Sequence, residues 1–73
     1  MSDPMPGSDE RGSELTRRIG RPATAALTLA GYTTYGSLAR VTAKELLALH
    51  GVGPRAIRIL DEELAARGLS FRR

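Results

Sequence analysis

Leu49-His50-Gly51-Val52-Gly53-Pro54-Arg55-Ala56 decides how this chain is read. An apolar helical run closes at Leu49, two glycines flank one valine, and proline with arginine opens the next segment. Closely spaced glycines let the backbone turn sharply and approach a ligand with no Cβ in the way. Pro54 suits a first helical turn, where its missing N–H had no partner. The stretch predicts a tight hairpin between two helices whose first amides face outward. Such a helix start attracts anions, phosphate above all. Gly51, Val52 and Gly53 are therefore candidate backbone donors. The bland alternative is that they only permit the turn.

Outward from that hairpin the chain reads as short helices with no competing strand pattern. Thr42-Ala43-Lys44-Glu45 is a capping box for a helix from Ala43 to Leu49. Leu46, Leu47 and Leu49 exceed one narrow stripe, so that helix is expected to be covered on more than one side. The helix after the hairpin runs from Pro54 to about Arg67, with Ala56, Ile57, Leu60 and Leu64 as its core stripe. Gly68 ends it, and Leu69 and Phe71 fold back. Upstream, Ser13 is expected to cap a helix holding Leu15 and Ile19, with Glu14 in its first turn. Arg21-Pro22 opens a helix through Ala30 with Ala23, Ala26, Leu27 and Ala30 on one face. Gly31 stops it, and Tyr32 packs behind. Thr34 caps a short helix reaching Arg40, with Leu38 inward. Tyr32 and Tyr35 read as core and edge packing, and three aromatics are too few for a base-stacking platform.

One internal repeat stands out. Ile19-Gly20 with Ala23 and Leu27 matches Val52-Gly53 with Ala56 and Leu60 at an offset of 33 residues. Both following helices end in glycine plus a large apolar residue, Gly31-Tyr32 and Gly68-Leu69. The pattern predicts two hairpin units packed as a pseudo-twofold pair.

At 73 residues the chain is one small domain, and with no cysteine it has neither disulfides nor thiolate metal sites. The sequence shows no membrane span and no secretory signal, so a cytoplasmic protein is expected. Residues 1–13 carry Pro4, Pro6, Gly7 and Gly12 among small and charged residues and are expected to form a disordered tail before a domain at 14–73. Charge divides along the chain. Asp3, Asp9, Glu10 and Glu14 outweigh Arg11 in the first 14 residues, whereas the rest carries ten basic residues, nine of them arginine, against four acidic ones. Arginine suits bidentate phosphate contacts; the alternative origin of its abundance is genomic base composition.

Candidate phosphate contacts are Arg55 and Arg58 after the hairpin, Arg21 and Gly20 at the matching turn, Arg18 and Arg17 just before it, and Lys44. Each is otherwise an ordinary solvated residue, and Arg58 is alternatively paired with Asp61 or Glu62 at helical spacing. His50 is the only histidine and has no cysteine or second histidine with which to share a metal. No catalytic residue, metal or cofactor is expected: no Ser-His-Asp set, phosphate-binding loop or dinucleotide fingerprint can be assembled.

Leu46-x-x-Leu49-His50-Gly51-Val52-Gly53 is similar to the helix-hairpin-helix motif, apolar-x-x-apolar-Pro-Gly-apolar-Gly, with His50 in place of proline. With Glu45-Leu46-Leu47 ahead and Ala66-Arg67-Gly68-Leu69-Ser70 behind, and with Ala56 one residue early, Glu14 to Phe71 resembles the C-terminal domain of the bacterial RNA polymerase alpha subunit. The resemblance is specific over Glu45 to Ser70 and rests mainly on spacing over Arg21 to Leu38. It implies an all-α, SAM-domain-like compact bundle of about five short helices with two helix-hairpin-helix units. It also implies a grip on double-stranded DNA across the minor groove, mostly through backbone, at positions matching Gly53, Arg55, Ala56, Pro22 and Ala25. Pro22 and Ala25 stand where the family has arginine and asparagine, and Ala56 lacks a hydroxyl, which leaves generic phosphate binding as the expectation. The other parts of an alpha subunit are missing from the 73 residues, so the chain reads as a freestanding, nucleoid-associated relative. Docking to a protein of the transcription machinery without significant DNA binding is the alternative. The sequence leaves the oligomeric state open.

Overall fold

All five helical segments begin at residues whose side chains or rings suit a helix start. In the computed structural model, which describes residues 13–73, they are a 3-10 turn at Arg17–Ile19 and four α-helices: α1 Arg21–Leu29, α2 Tyr35–Leu38, α3 Ala43–Leu47 and α4 Pro54–Ala66. The described residues are thus all-α. The tail expected at 1–13 lies outside them apart from Ser13. Full capping boxes start α2, from Thr34 and Ser37, and α3, from Thr42 and Glu45. Proline occupies the first turn of both α1 and α4.

Both long helices end in the same way. Tyr32 N–H donates to the Leu27 carbonyl and Gly31 N–H to the Thr28 carbonyl; Leu69 and Gly68 repeat this with Leu64 and Ala65. These paired bonds satisfy carbonyls that a helix end leaves without partners, and they need a glycine with positive φ, which Gly31 and Gly68 supply.

The core joins all elements. Leu27, Leu38, Leu46, Leu60 and Leu64 are fully enclosed, with Leu15, Ile19, Ala23, Tyr35, Val52, Ala56 and Ile59 around them. Each enclosed leucine contributes about 1.5–3 kcal/mol. The 3-10 turn lies against both α1 and α4. Phe71 packs on the core, and Arg72 fastens the C-terminus through N–H and Nε bonds to the Val41 and Arg40 carbonyls.

Several expectations are corrected. Ser13 accepts a bond from Leu15 N–H, yet no helix spans Leu15; the turn begins later, with Thr16 as its cap. Tertiary acceptors compete for this backbone: Glu14 N–H donates to the Thr33 carbonyl and Thr16 N–H to the Tyr35 hydroxyl. The Glu14 carboxylate accepts from Tyr35 N–H and so serves the start of α2 instead of its own segment. Tyr35 is the core residue, and Tyr32 packs half-buried at its edge. Ile59, absent from the expected stripe, is buried on α4, and Ile57 packs partly buried against the core. Leu47 stays exposed, so α3 is covered on one side. Leu69 and Ala30 are exposed as well. α1, α2 and α3 each stop one or two residues early, α3 by tightening into bonds from Ala48 and Leu49 to carbonyls three residues back.

Candidate nucleic-acid interface

The two hairpin turns meet. Gly51 has φ of +102°, and a Cβ placed on it would stand 2.8 Å from the Pro22 carbonyl oxygen and 3.5 Å from the Ala26 Cβ. Only glycine lets the second turn pass this close to the start of α1. The starts of α1 and α4 are thereby brought to one concavity of about 310 Å³, lined by Arg18, Ile19, Gly20, Pro22, Ala23, Gly51, Gly53, Arg55 and Ala56.

The caps explain why this surface holds donors. α2 and α3 satisfy their first amides with side chains. α1 and α4 begin at Gly20 and Gly53, which have no side chain to offer, and neither has a side-chain cap bond. Among the described residues, the N–H groups of Gly53 and Arg55 have no backbone acceptor, and neither do those of the buried Ala23 and Ala56 beneath them. Their partial positive charges add to those of the two helix starts.

Five of the ten candidate residues line this surface: Arg18, Gly20, Gly51, Gly53 and Arg55. Val52 does not serve as a donor. Its side chain is buried and its N–H is taken by the Leu49 carbonyl, because the turn itself needs that bond. Arg21 is exposed at the first residue of α1, beside the concavity in sequence but outside its lining. Arg58 is exposed one turn further along α4, and Lys44 is exposed on the first turn of α3; neither lines the concavity. Arg58 makes no ion pair with Asp61 or Glu62 among the described residues.

Arg18 has partners that sequence reasoning missed. Its guanidinium lies 3.3 Å from Glu63 and 3.7 Å from Glu62 on α4. These exposed pairs are worth little individually, but they place two carboxylates beside one wall of the concavity. Glu63 also binds Arg67 at 2.8 Å, and the Arg67 guanidinium lies 3.9 Å over the Tyr35 ring. Ala23 also went unnamed as a candidate, because an alanine carries no chemical signal of its own.

No protein-family model, curated protein or solved structure matches this chain. Among the described residues there is no cluster of metal-ligating side chains, and no helix is long and apolar enough to cross a membrane.

Proposed function

We propose that this chain is a helix-hairpin-helix module that grips the phosphate backbone of duplex DNA from the minor-groove side, with little sequence preference. The observation that carries the reading is the convergence of two glycine-capped helix starts on one concavity flanked by Arg18 and Arg55. Free amides there donate to phosphate oxygens, and Arg55 and Arg58 extend the contact along α4. Phosphate contacts position a protein and carry no sequence information.

Burial supports two paired units. Ile19 and Val52, Ala23 and Ala56, and Leu27 and Leu60 are buried in corresponding places. The units differ in their leading arms, a three-residue 3-10 turn in one and α3 in the other. They differ also in the glycine: Gly20 has φ of +91° whereas Gly53 is extended at −114°.

A second reading has its own observation. Pro22 and Ala25 are exposed and apolar where the resembled family places polar DNA contacts, which favours docking to a protein of the transcription machinery. Titration of a short duplex at several salt concentrations separates the two. Neutralising four to six phosphates gives a log–log slope of about −4 to −5. A slope near zero defeats the DNA reading and leaves protein docking.

A further inference from the structure

Two carboxylates stand beside Arg18, and they meet it differently. Glu63 Oε2 accepts a hydrogen bond from Arg18 Nη1 at 3.3 Å. Glu62 Oε1 stands 3.7 Å from Arg18 Nη2, too far for a hydrogen bond. The Glu63 side chain is 23% exposed, whereas that of Glu62 is 60% exposed. Glu63 is itself held from behind. Its Oε1 accepts from Arg67 Nη1 at 2.8 Å, and the same nitrogen donates to the Glu63 carbonyl at 2.9 Å. The Arg67 guanidinium in turn rests on the ring of Tyr35, a core residue. The carboxylate nearest Arg18 is therefore fixed to the body of the fold.

We propose that Glu63 is a positioning residue that holds the Arg18 guanidinium at the wall of the concavity. The benefit to phosphate binding rests on the duplex-binding reading; the holding itself does not. An arginine left free gives up side-chain entropy when it binds, and one already held by a fixed neighbour has given it up beforehand. Arg18 needs such a support, because its side chain is more than half exposed on a three-residue turn. A guanidinium has five N–H donors. Glu63 takes one of them, so the others stay available to a phosphate.

The two carboxylates thus act with different signs. Glu62 makes no hydrogen bond to Arg18 and acts through its charge, so its loss favours a polyanion. Glu63 acts through its charge and through Arg18, in opposite directions. Salt separates the two effects: screening weakens the repulsion and leaves the positioning. Glutamine at position 63 keeps the size of the side chain. Its amide offers one oxygen where the carboxylate uses two, one for each arginine.

Two measurements on the full chain test this. In the free protein, relaxation of the Arg18 Nε–H should show an ordered guanidinium that Glu63→Gln loosens and Glu62→Gln does not. With a short duplex at about 0.15 M salt, where the Debye length is roughly 8 Å, Glu63→Gln should weaken binding about two- to fivefold, the size of an exposed ion-pair coupling. In an Arg18→Gln background the same substitution should no longer weaken binding, since only the removal of a negative charge remains. A purely structural Glu63 would weaken binding alike in both backgrounds, and that result overturns the proposal. So does an Arg18 guanidinium as mobile in the wild type as in Glu63→Gln. A wild type that binds no duplex defeats the DNA reading alone, and the relaxation measurement then decides the role of Glu63 by itself.

Discussion

Gly51 and Pro22 approach so closely that a single Cβ on Gly51 would stand 2.8 Å from the Pro22 carbonyl oxygen. This one approach joins the two turns, brings two uncapped helix starts together and creates the concavity. Gly51→Ala therefore meets two penalties, a positive φ that disfavours any side chain and a collision with rigid backbone. The expected loss is at least about 2 kcal/mol, a fall in melting temperature of roughly 10 °C or more. Gly31→Ala is the control, since Gly31 shares the positive φ of +89° but has open space around it. Thermal denaturation should rank Gly51→Ala well below Gly31→Ala; equal losses would mean that the close approach does not matter.

Gly53 invites the opposite experiment. Its extended backbone, φ −114° and ψ 178°, suits a capping side chain, and it has open space where a Cβ would go. Gly53→Ser supplies the cap that α4 lacks and is expected to stabilise the fold by about 0.3–0.5 kcal/mol. The same hydroxyl occupies an amide that phosphate would use, so duplex binding weakens by a few-fold. Stability and binding move in opposite directions, and a variant that gains stability with unchanged affinity removes the amides from the binding account.

Much of the fold is legible because its signals are local. Thr34, Thr42, Pro22, Pro54, Gly31 and Gly68 each satisfy or forgo a backbone bond within a few residues, and those helix boundaries fall within one or two positions of the expected ones. Legibility fails where distant groups compete. Glu14 and Thr16 give their amides to the Thr33 carbonyl and the Tyr35 hydroxyl, so their segment never becomes the helix that Ser13 suggests. Ile59 is buried beside the expected stripe because α4 is packed against both the 3-10 turn and α3, which periodicity alone does not reveal. In the candidate site, the matched glycines mark both turns. The pairing of Arg18 with Glu62 and Glu63, across 45 residues to Glu63, has no sequence signature.

That pairing yields a charge prediction. Glu62 sits 3.7 Å from Arg18, and both side chains are more than half exposed. Glu62→Gln removes a carboxylate from the edge of the concavity and frees the guanidinium. Stability is expected to stay within about 0.5 kcal/mol, while duplex affinity rises a few-fold at low salt, where electrostatics is least screened. An unchanged affinity at low salt would place Arg18 outside the contact.

Arg55 and Arg58 divide the arginine contribution by position. Arg55 lines the concavity and Arg58 lies one turn beyond it. Arg55→Glu with Arg58→Glu should weaken duplex binding strongly and leave the melting temperature nearly unchanged, since both side chains are exposed. Each neutral replacement, Arg55→Gln or Arg58→Gln, is expected to reduce the salt slope by about 1 if its residue contacts phosphate. Arg55→Gln should show the larger loss of affinity. A double charge reversal that binds as the wild type does moves the interface elsewhere.

Tyr35 ties the segment ahead of the 3-10 turn to the core. Its ring is 2% exposed, and its hydroxyl accepts from Thr16 N–H at 2.9 Å. Tyr35→Phe keeps the ring, and with it the face against which Arg67 lies. It removes only the acceptor and leaves a half-buried amide unpaired, at a cost of about 1–2 kcal/mol. The melting temperature should fall by roughly 5–10 °C. Hydrogen exchange should quicken first at Thr16, because that amide loses its partner while the helices keep theirs. The turn so loosened carries Arg18 and Gly20 into the concavity, so duplex affinity should fall with it, although Tyr35 itself is outside the lining. Unchanged exchange at Thr16 would show that this bond does not hold the turn in place.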